Sequence, residues 1–320
     1  MCVSCVLIII ILLFSSEFIY FKVAERYDIT DKPNHRSSHD EDIIRGGGIV
    51  FAFGIVFYLM VFGIHYTYFT IGLLLISVVS FLDDLKPISN KVRLLFHLAA
   101  VGMLFYQLEV YFLPVYLLVG IAVVAIGIIN AINFMDGING ITGGYSFITV
   151  CSLLIINLSV HFTDNNLLIT VGLSLLTFNF FNFRTKARCF AGDVGSIGIA
   201  FILLFLIGQL IIKTGNASYM LLLLIYGLDT VTTILLRFIR KENIFKAHRS
   251  HFYQYLANER KLGHVYVSIL YCSIQLLLNV VFLSYIVFNP IYVCAYLLFT
   301  GSIFVVLRIR LEGVKRLFSP

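Results

Sequence analysis

Long runs of apolar residues without any charged side chain dominate the pattern along the chain. Residues 46–82, 194–212 and 262–307 contain no Asp, Glu, Lys or Arg. A membrane-spanning helix needs about 20 apolar residues, so the last run alone is long enough for two. The runs lack the alternation of apolar and polar positions that is typical of a transmembrane β-barrel, which excludes that class. The pattern therefore predicts an all-α, polytopic membrane protein.

The apolar runs resolve into about eleven transmembrane helices, and residues 1–320 are predicted to form a single integral membrane domain. The first run has neither a basic n-region nor a small-residue cleavage site, so we expect a retained helix and not a signal peptide. The approximate bounds are 3–23, 46–64, 67–82, 94–108, 112–131, 141–160, 167–183, 196–212, 219–237, 265–287 and 291–308.

The composition agrees with a membrane protein. Hydrophobic residues make up 60% of the chain and charged residues 12%, against roughly 25% charged residues in an ordinary globular protein. So few charges could not cover the surface of a soluble protein of this size. The six cysteines follow neither a zinc-site spacing nor a disulfide framework, and we expect them to act as small apolar residues.

The basic residues predict the orientation. All but Lys213 of the 23 lysines and arginines lie in five segments, which are 22–45, 83–93, 184–195, 237–263 and 308–320. The positive-inside rule places these segments in the cytoplasm, with the N-terminus outside and the C-terminus inside. The net charge of +6 therefore reports orientation, and it gives no reason to expect nucleic acid binding.

Two adjacent carboxylates, Asp83 and Asp84, stand where a predicted span meets the cytoplasm. Like charges side by side raise each other's pKa unless a cation compensates them. A divalent metal or a basic ligand is the natural compensation, although two solvated loop aspartates remain an alternative. Arg93 lies near the base of the next span.

A second polar element follows the fifth span. Asn130, Asn133 and Asp136 are spaced by three residues, which places them on one helix face. Gly137 and Gly140 then break the helix and permit close approach of the backbone. Oxygen ligands beside glycines suit a phosphate, a metal or a nucleobase, whereas a plain connector between helices is the alternative.

A third element surrounds Asp193. Gly192 and Gly195 flank it, and Ser196 begins the next span. Such a turn can form a backbone nest that binds phosphate at a helix N-terminus, while the carboxylate could hold the accompanying Mg²⁺. Three preceding cations, which the positive-inside rule would also explain, are Arg184, Lys186 and Arg188.

Further cations and one intramembrane carboxylate complete the set. His248 and His251 share a helix face beside Arg249, and this trio is predicted to bind phosphate oxygens unless it is a solvated loop helix. Arg45 precedes three glycines at a helix start. Asp229 lies inside a span, where a carboxylate is a functional candidate by default, although pairing with Arg237 or a neighbouring helix is the alternative.

Taken together, the polar elements resemble the polyprenyl-phosphate N-acetylhexosamine-1-phosphate transferase family. This family includes bacterial undecaprenyl-phosphate N-acetylglucosamine-1-phosphate transferases and, more distantly, phospho-N-acetylmuramoyl-pentapeptide transferase. The motifs that carry the resemblance are D-x-P-N-x-R-x-x-H with R-G-G-G (31–48), D-D (83–84), N-x-x-N-F-x-D-G-I-x-G (130–140), G-D-x-G-S (192–196) and H-R-S-H-x-Y-Q-x-L (248–256).

Two positions depart from the family pattern. Asn139 stands where the family usually has a second Asp, so either no charge is needed there or one contact to metal or nucleotide is weakened. The H-R-S-H element differs from the triple-His run of the pentapeptide transferases. It is closer to the branch that uses simple UDP-N-acetylhexosamines for O-antigen, capsule or teichoic acid synthesis.

The resemblance implies transfer of a sugar 1-phosphate from a UDP-N-acetylhexosamine to undecaprenyl phosphate, with release of UMP, at the bacterial cytoplasmic membrane. It implies Mg²⁺, with Mn²⁺ as a substitute, and it allows a homodimer. Asp193 and one of Asp83 and Asp84 would hold the metal, and the other of that pair would position or deprotonate the acceptor. The remaining residues would contact nucleotide, metal or phosphate, namely Asn133, Asp136, His248, Arg249, His251 and Arg45.

Other interpretations remain open at this point. A secondary transporter would use the carboxylates as ion sites, but it predicts polar residues on both faces, and the outer connections are nearly featureless. A pentapeptide transferase is disfavoured by the His motif, and Asn139 leaves room for an inactive scaffold. Direct attack by the acceptor and a covalent aspartyl-phosphate route also remain alternatives.

Overall fold

The computed structural model describes residues 1–31, 42–243 and 249–318, and almost all regular structure in them is helical. The long helices are α1 (Val3–Arg26), α2 (Val50–Phe62), α3 (Thr67–Leu85), α4 (Asn90–Gln107), α5 (Val115–Met135), α6 (Ile141–Val160), α7 (Asn165–Asn182), α8 (Gly192–Thr214), α9 (Leu224–Ile239), α11 (His264–Val281) and α12 (Pro290–Glu312). Short helices are α10 (Phe252–Gln254) and α13 (Val314–Phe318), with 3₁₀ turns at Gly47–Ile49 and Ala217–Leu223 and π-helical turns at Tyr255–Glu259 and Phe282–Ile286.

Each of the eleven predicted spans coincides with one of these long helices. Within the described ranges, eight helical segments are long and apolar enough to cross a membrane, and the segment Gly47–Phe62 is a shorter apolar helix. The prediction of a polytopic all-α membrane protein is thereby confirmed. The count of eleven spans and the orientation of the termini stay predictions.

Helix α8 lies at the centre of the bundle. Of its most apolar 18 residues, 78% are buried, compared with 17% in each of α5 and α12. A helix that is apolar on all sides is stable only when other helices surround it, and α3, α5 and α6 pack around α8. Its first turn, which carries Asp193, is therefore held in the middle of one end of the bundle.

The glycine-rich segment before α2 packs backbone to backbone against the start of α8. The N–H groups of Gly47 and Gly48 donate to the carbonyls of Phe190 (2.9 Å) and Ala191 (3.1 Å). A Cβ on Gly195 would lie 2.5 Å from the Cα of Gly48, so this approach requires glycine. Two sequence motifs about 140 residues apart thus form one structural unit.

A small strand pairing leads into this unit. Strand β1 (Thr30–Asp31) pairs antiparallel with β2 (Ile43–Ile44), and Ile44 also forms an isolated parallel bridge to Cys189. The pairing brings the chain that leaves α1 back to the glycines at the base of α2. Most of the loop motif at 31–39 lies outside the described residues.

The intramembrane Asp229 pairs with a neighbouring helix and a following loop, and Arg237 is not its partner. Tyr271 of α11 donates its hydroxyl to Asp229 Oδ2 at 2.7 Å, and the Nδ1 atom of His251 lies 3.3 Å from Oδ1. Arg237 instead contacts Glu242 at 2.8 Å. Of the two alternatives for Asp229, the neighbouring helix is correct, and this carboxylate is fully paired inside the protein.

Candidate active site

The predicted polar elements converge on one cavity of about 410 Å³ at the end of the bundle where α5 ends and α8 begins. Five of the predicted site residues line it, namely Arg45, Asn133, Asp136, Asp193 and Arg249. Its other lining residues are Asp31, Gly137, Ile138, Asn139, Asn182, Phe190, Ala191, Gly192, Gln254, Asn258 and His264. His248 lies outside the described residues.

Three carboxylates and two arginines form an ion-pair cluster beside the cavity. Arg93 bridges Asp83 (3.0 Å) and Asp193 (3.2 Å), so the cation at the base of α4 holds two separate motifs together. Arg45 Nε lies 2.7 Å from Asp84 Oδ1, and Arg45 Nη2 lies 3.9 Å from Asp193 Oδ1. The cations that the adjacent aspartates require are therefore supplied by the protein itself.

Asp84 caps the N-terminus of α8. Its Oδ1 accepts the backbone N–H of Asp193 at 2.9 Å, and its Oδ2 accepts that of Val194 at 3.0 Å. A carboxylate in this place satisfies orphan N–H groups and interacts favourably with the helix dipole. The Asp84 side chain has no exposed surface. This geometry suits a positioning role, in which Asp84 orients Asp193. It suits the predicted roles of metal ligand or catalytic group less well.

Asp83 and Asp193 have different surroundings from Asp84. The Asp83 carboxylate accepts the N–H of Ile88 and pairs with Arg93, and it does not line the cavity. Asp193 lines the cavity and keeps 18% of its side chain exposed. Asp83 therefore contacts the loop after α3, whereas Asp84 caps α8. Of the carboxylates in this cluster, Asp193 is the one that a ligand in the cavity can reach.

Asp136 follows the last turn of α5 and lines the cavity together with Asn133. Burial raises the pKa of Asp136 from 3.8 to about 7, and the negative charges of Asp193 and Asp84 add to this rise. The predicted row of Asn133 and Asp136 therefore faces the cavity, and the Asp136 carboxylate changes charge close to neutral pH.

We expect Asp136→Asn to stabilise the metal-free protein at high pH. Between about pH 4 and pH 7 the unfolded chain has lost the proton that the folded protein keeps, so the native carboxyl loses stability as the pH rises through this window. The thermal midpoint of the variant in detergent with EDTA should exceed that of the wild type by roughly 5 °C at pH 8 and by under about 2 °C at pH 4.5. An equal difference at both pH values would contradict the assignment.

Asn139 braces the loop that precedes α8. Its Nδ2 donates to the carbonyls of Arg184 (3.0 Å) and Thr185 (3.1 Å), and the side chain is almost fully buried. Ser268 of α11 donates to the Asn139 carbonyl at 2.7 Å. A carboxylate could not donate to these two carbonyls. The structure thereby gives a physical reason for the departure from the family aspartate.

Replacing Asn139 with Asp should lower both stability and activity. Two buried carbonyls lose their donor and face a negative charge, which costs about 1–3 kcal/mol. The thermal midpoint should fall by roughly 5 °C. Transferase activity, measured as the release of UMP that the motif resemblance implies, should fall by about tenfold because the loop leads directly to Asp193.

Asn90→Asp is the matched control for this change, since it alters charge identically at an exposed position at the start of α4. Wild-type behaviour of Asn139→Asp would show that the amide has no structural task.

The H-R-S-H element splits into two parts. Arg249 is exposed and lines the cavity. His251 is buried beside Asp229, which also accepts the backbone N–H groups of Phe252 (2.9 Å) and Tyr253 (3.2 Å). His251 does not line the cavity, so the structure does not place it where a phosphate ligand would sit.

Residues 66–211 match the model of glycosyl transferase family 4, and this segment contains Asp83, Asp84, Asn133, Asp136 and Asp193. Over this segment the chain is similar to glycosyl transferase family 4. The resemblance predicted from the motifs is therefore confirmed.

The relatives of this chain carry informative names. A Bacillus subtilis protein named "Probable undecaprenyl-phosphate N-acetylglucosaminyl 1-phosphate transferase" is 29% identical over 259 residues, which are 73% of this chain and 71% of the relative. The Escherichia coli K12 protein named undecaprenyl-phosphate alpha-N-acetylglucosaminyl 1-phosphate transferase is 30% identical over 230 residues, 62% of this chain and 60% of its own length. A phospho-N-acetylmuramoyl-pentapeptide-transferase from Dictyoglomus thermophilum is 30% identical over 172 residues, 46% of this chain and 54% of the relative.

Some residues of the site were missed by the sequence-based prediction. Asn182 accepts the N–H of Gly140 at 2.8 Å and donates to the carbonyl of Cys189 at 2.8 Å, so it links the two glycine turns at the cavity. Its signal was a polar amide at the end of an apolar run. Gln254, Asn258 and His264 also line the cavity. Gln254 belongs to the H-R-S-H-x-Y-Q-x-L motif, whereas nothing in the spacing of Asn258 and His264 distinguishes them from loop residues.

The carboxylate and amide oxygens that line the cavity suit a hard divalent cation that binds together with a phosphate-bearing ligand. Within residues 1–31, 42–243 and 249–318, no three His, Cys, Asp or Glu side chains converge as a metal cage. Mg²⁺ is commonly bound by one or two carboxylates together with substrate phosphates and water. The exposed part of Asp193 offers one such carboxylate beside the cavity.

Proposed function

We propose that this chain transfers an N-acetylhexosamine 1-phosphate from a UDP-sugar to undecaprenyl phosphate and releases UMP. The names of the relatives support this activity, and N-acetylglucosamine is the first sugar to test because several of them are named for it. The observation that carries the proposal is the cavity at one end of the bundle, which Asp136 and Asp193 line together with Arg45 and Arg249.

The charges of the cavity suit a reaction between two phosphates. A phosphate monoester with a second pKa near 6 is mostly a dianion at neutral pH, so the acceptor needs little activation. The main obstacle is repulsion between this acceptor and the diphosphate of the donor. Arg45 and Arg249 supply positive charge to phosphate oxygens.

We propose Mg²⁺, with Mn²⁺ as a substitute, as the cofactor of this reaction. When bound, the cation would neutralise the diphosphate and stabilise charge on the leaving UMP. Asp193 would hold it, because this carboxylate reaches the cavity while Asp84 is occupied as a helix cap. Asn133 and Asp136 on α5 would contact the nucleotide from the opposite wall.

The lipid acceptor would approach from the membrane. Helices α5 and α12 expose most of their apolar surface, as expected for helices in contact with lipid chains. We propose that the prenyl chain lies in a groove between helices and that its phosphate reaches the cavity at the cytoplasmic face of the bacterial inner membrane. The concentration of Lys and Arg in the segments on this side supports that orientation.

The decisive experiment measures UMP release by the purified chain in detergent. Undecaprenyl phosphate and Mg²⁺ would be supplied with UDP-N-acetylglucosamine, UDP-N-acetylgalactosamine or UDP-N-acetylmuramoyl-pentapeptide as alternative donors. We expect release with a simple UDP-N-acetylhexosamine, its loss with EDTA and its recovery with Mg²⁺ or Mn²⁺. No UMP from any donor would overturn the proposal, and release from the pentapeptide donor alone would identify the other branch of the family.

A further inference from the structure

An arginine on the last long helix points into the protein. Arg308 is only 2% exposed, although α12 as a whole is among the least buried helices. Its Nε lies 2.6 Å from Glu312 Oε1, one turn further along the helix, and Glu312 is also buried. A buried guanidinium is costly unless it is paired and hydrogen-bonded, so the contacts of Arg308 indicate what its position achieves.

The other donors of Arg308 connect three segments. Its Nη1 donates to the hydroxyls of Thr232 and Thr233 on α9, each at 2.9 Å. Its Nη2 donates to the backbone carbonyl of Ser250 at 2.9 Å. Ser250 immediately follows Arg249, the exposed cation that lines the cavity. Arg308 therefore joins α12 and α9 to the backbone beside a substrate-facing residue.

A second anchor holds the other side of the same turn. Asp229 accepts from the backbone of Phe252 and Tyr253 and contacts the ring of His251. The guanidinium of Arg308 lies over the ring of Phe252, with 5.9 Å between its Cζ and the ring centroid. The segment that carries Arg249 is thus fixed from α9 and α12, and its direction into the cavity depends on both helices.

We propose that Arg308, held by Glu312, is a positioning residue that directs Arg249 toward the diphosphate of the UDP-sugar. This inference rests on the proposed function. Arg308 lies beyond the segment 66–211 that matches the family model, and it gives α12 a role in donor binding. A planar guanidinium serves four acceptors at once, which a lysine ammonium of different geometry cannot reproduce.

The test compares kinetic constants of Arg308→Lys, Arg308→Gln and Arg249→Gln in the UMP assay. We expect KM for the UDP-sugar to rise about tenfold in Arg308→Gln and by a smaller factor in Arg308→Lys. KM for undecaprenyl phosphate should change less than twofold. Arg310→Gln, which removes an exposed arginine from the same helix, should match the wild type.

The double variant Arg249→Gln/Arg308→Gln distinguishes positioning from general stabilisation. If Arg308 acts through Arg249, the double variant is no worse than Arg249→Gln alone, because the second change removes support from a group already lost. Multiplicative losses in the double variant, or equal increases in both KM values, would overturn the proposal. If Arg308→Gln does not fold, Arg308→Lys and Glu312→Gln provide the same comparison.

A substrate-free measurement separates this inference from the proposed function. Hydrogen–deuterium exchange of the amides at 250–254 should be at least about fivefold faster in Arg308→Lys than in the wild type and unchanged in Arg310→Gln. Unchanged exchange in Arg308→Lys would overturn the anchoring role even in an active enzyme. Faster exchange in a protein that releases no UMP would leave the anchor intact and reject the proposed reaction.

Discussion

Asp193→Asn should abolish UMP release while the protein remains folded. The amide preserves the shape of the side chain and can still contact Arg93, but it removes the negative charge that reaches the cavity. Loss of a group that stabilises charge in the transition state typically lowers kcat by about 10²–10³. The thermal midpoint should shift by no more than about 2 °C, as for a partly exposed residue. Both quantities can be measured on one detergent-purified sample.

Two other variants sharpen this result. Glu109→Gln changes an exposed carboxylate away from the cavity and should keep wild-type activity. Asp84→Asn should reduce activity and also lower the thermal midpoint, because Asp84 caps α8 as well as pairing with Arg45. An Asp193→Asn protein with more than one-tenth of wild-type activity would reject Asp193 as the principal carboxylate of the reaction.

Gly48→Ala should cause the largest loss of stability. A Cβ at this position would collide with the Cα of Gly195, and it would also lie 2.9 Å from the carbonyl oxygen of Ala191. Both atoms belong to the backbone, so no side-chain rotation can relieve the collision. Overpacking of this kind costs about 3 kcal/mol. The thermal midpoint should fall by roughly 10 °C, and activity should be lost because the start of α8 moves with Asp193.

Gly102→Ala serves as the matched control, because open space surrounds the position of its Cβ on α4. It should be neutral or slightly stabilising, since Ala favours a helix more than Gly. A Gly48→Ala protein with wild-type stability and activity would mean that the contact between the two glycine segments is dispensable.

The helices could be predicted from the sequence because their signal is local. A charge-free apolar run identifies a helix without knowledge of its neighbours, as for α8, which begins at Gly192 where the prediction placed the span from 196. Two of the four additional residues, Asp193 and Val194, donate their N–H groups to Asp84, which lies more than 100 residues earlier and caps this end of the helix. Such a helix boundary depends on a tertiary contact, and the spacing of apolar residues carries no information about that contact.

The sequence predicted which polar motifs form the site, but it did not predict the separate role of each residue. Successive helical residues point about 100° apart, so Asp83 and Asp84 cannot make the same contact with α8, and the sequence does not specify which of them caps it. His251 belongs to a motif rich in cations, yet Asp229 draws its ring away from the cavity. Arg308 belongs to no motif, and apart from Glu312 its partners lie 58, 75 and 76 positions away in sequence.

The backbone contact between the glycine segment and α8 also constrains how the chain matures during synthesis. Gly47 and Gly48 leave the ribosome long before Phe190 and Ala191, whose carbonyls accept their N–H groups. At roughly 5–20 residues per second, the delay is about 10–30 seconds. Until α8 inserts into the bilayer, the first helices lack this partner, so the catalytic face cannot be completed by any nascent chain shorter than about 195 residues. Formation of the site is therefore a late step of biogenesis, coupled to insertion of the central helix.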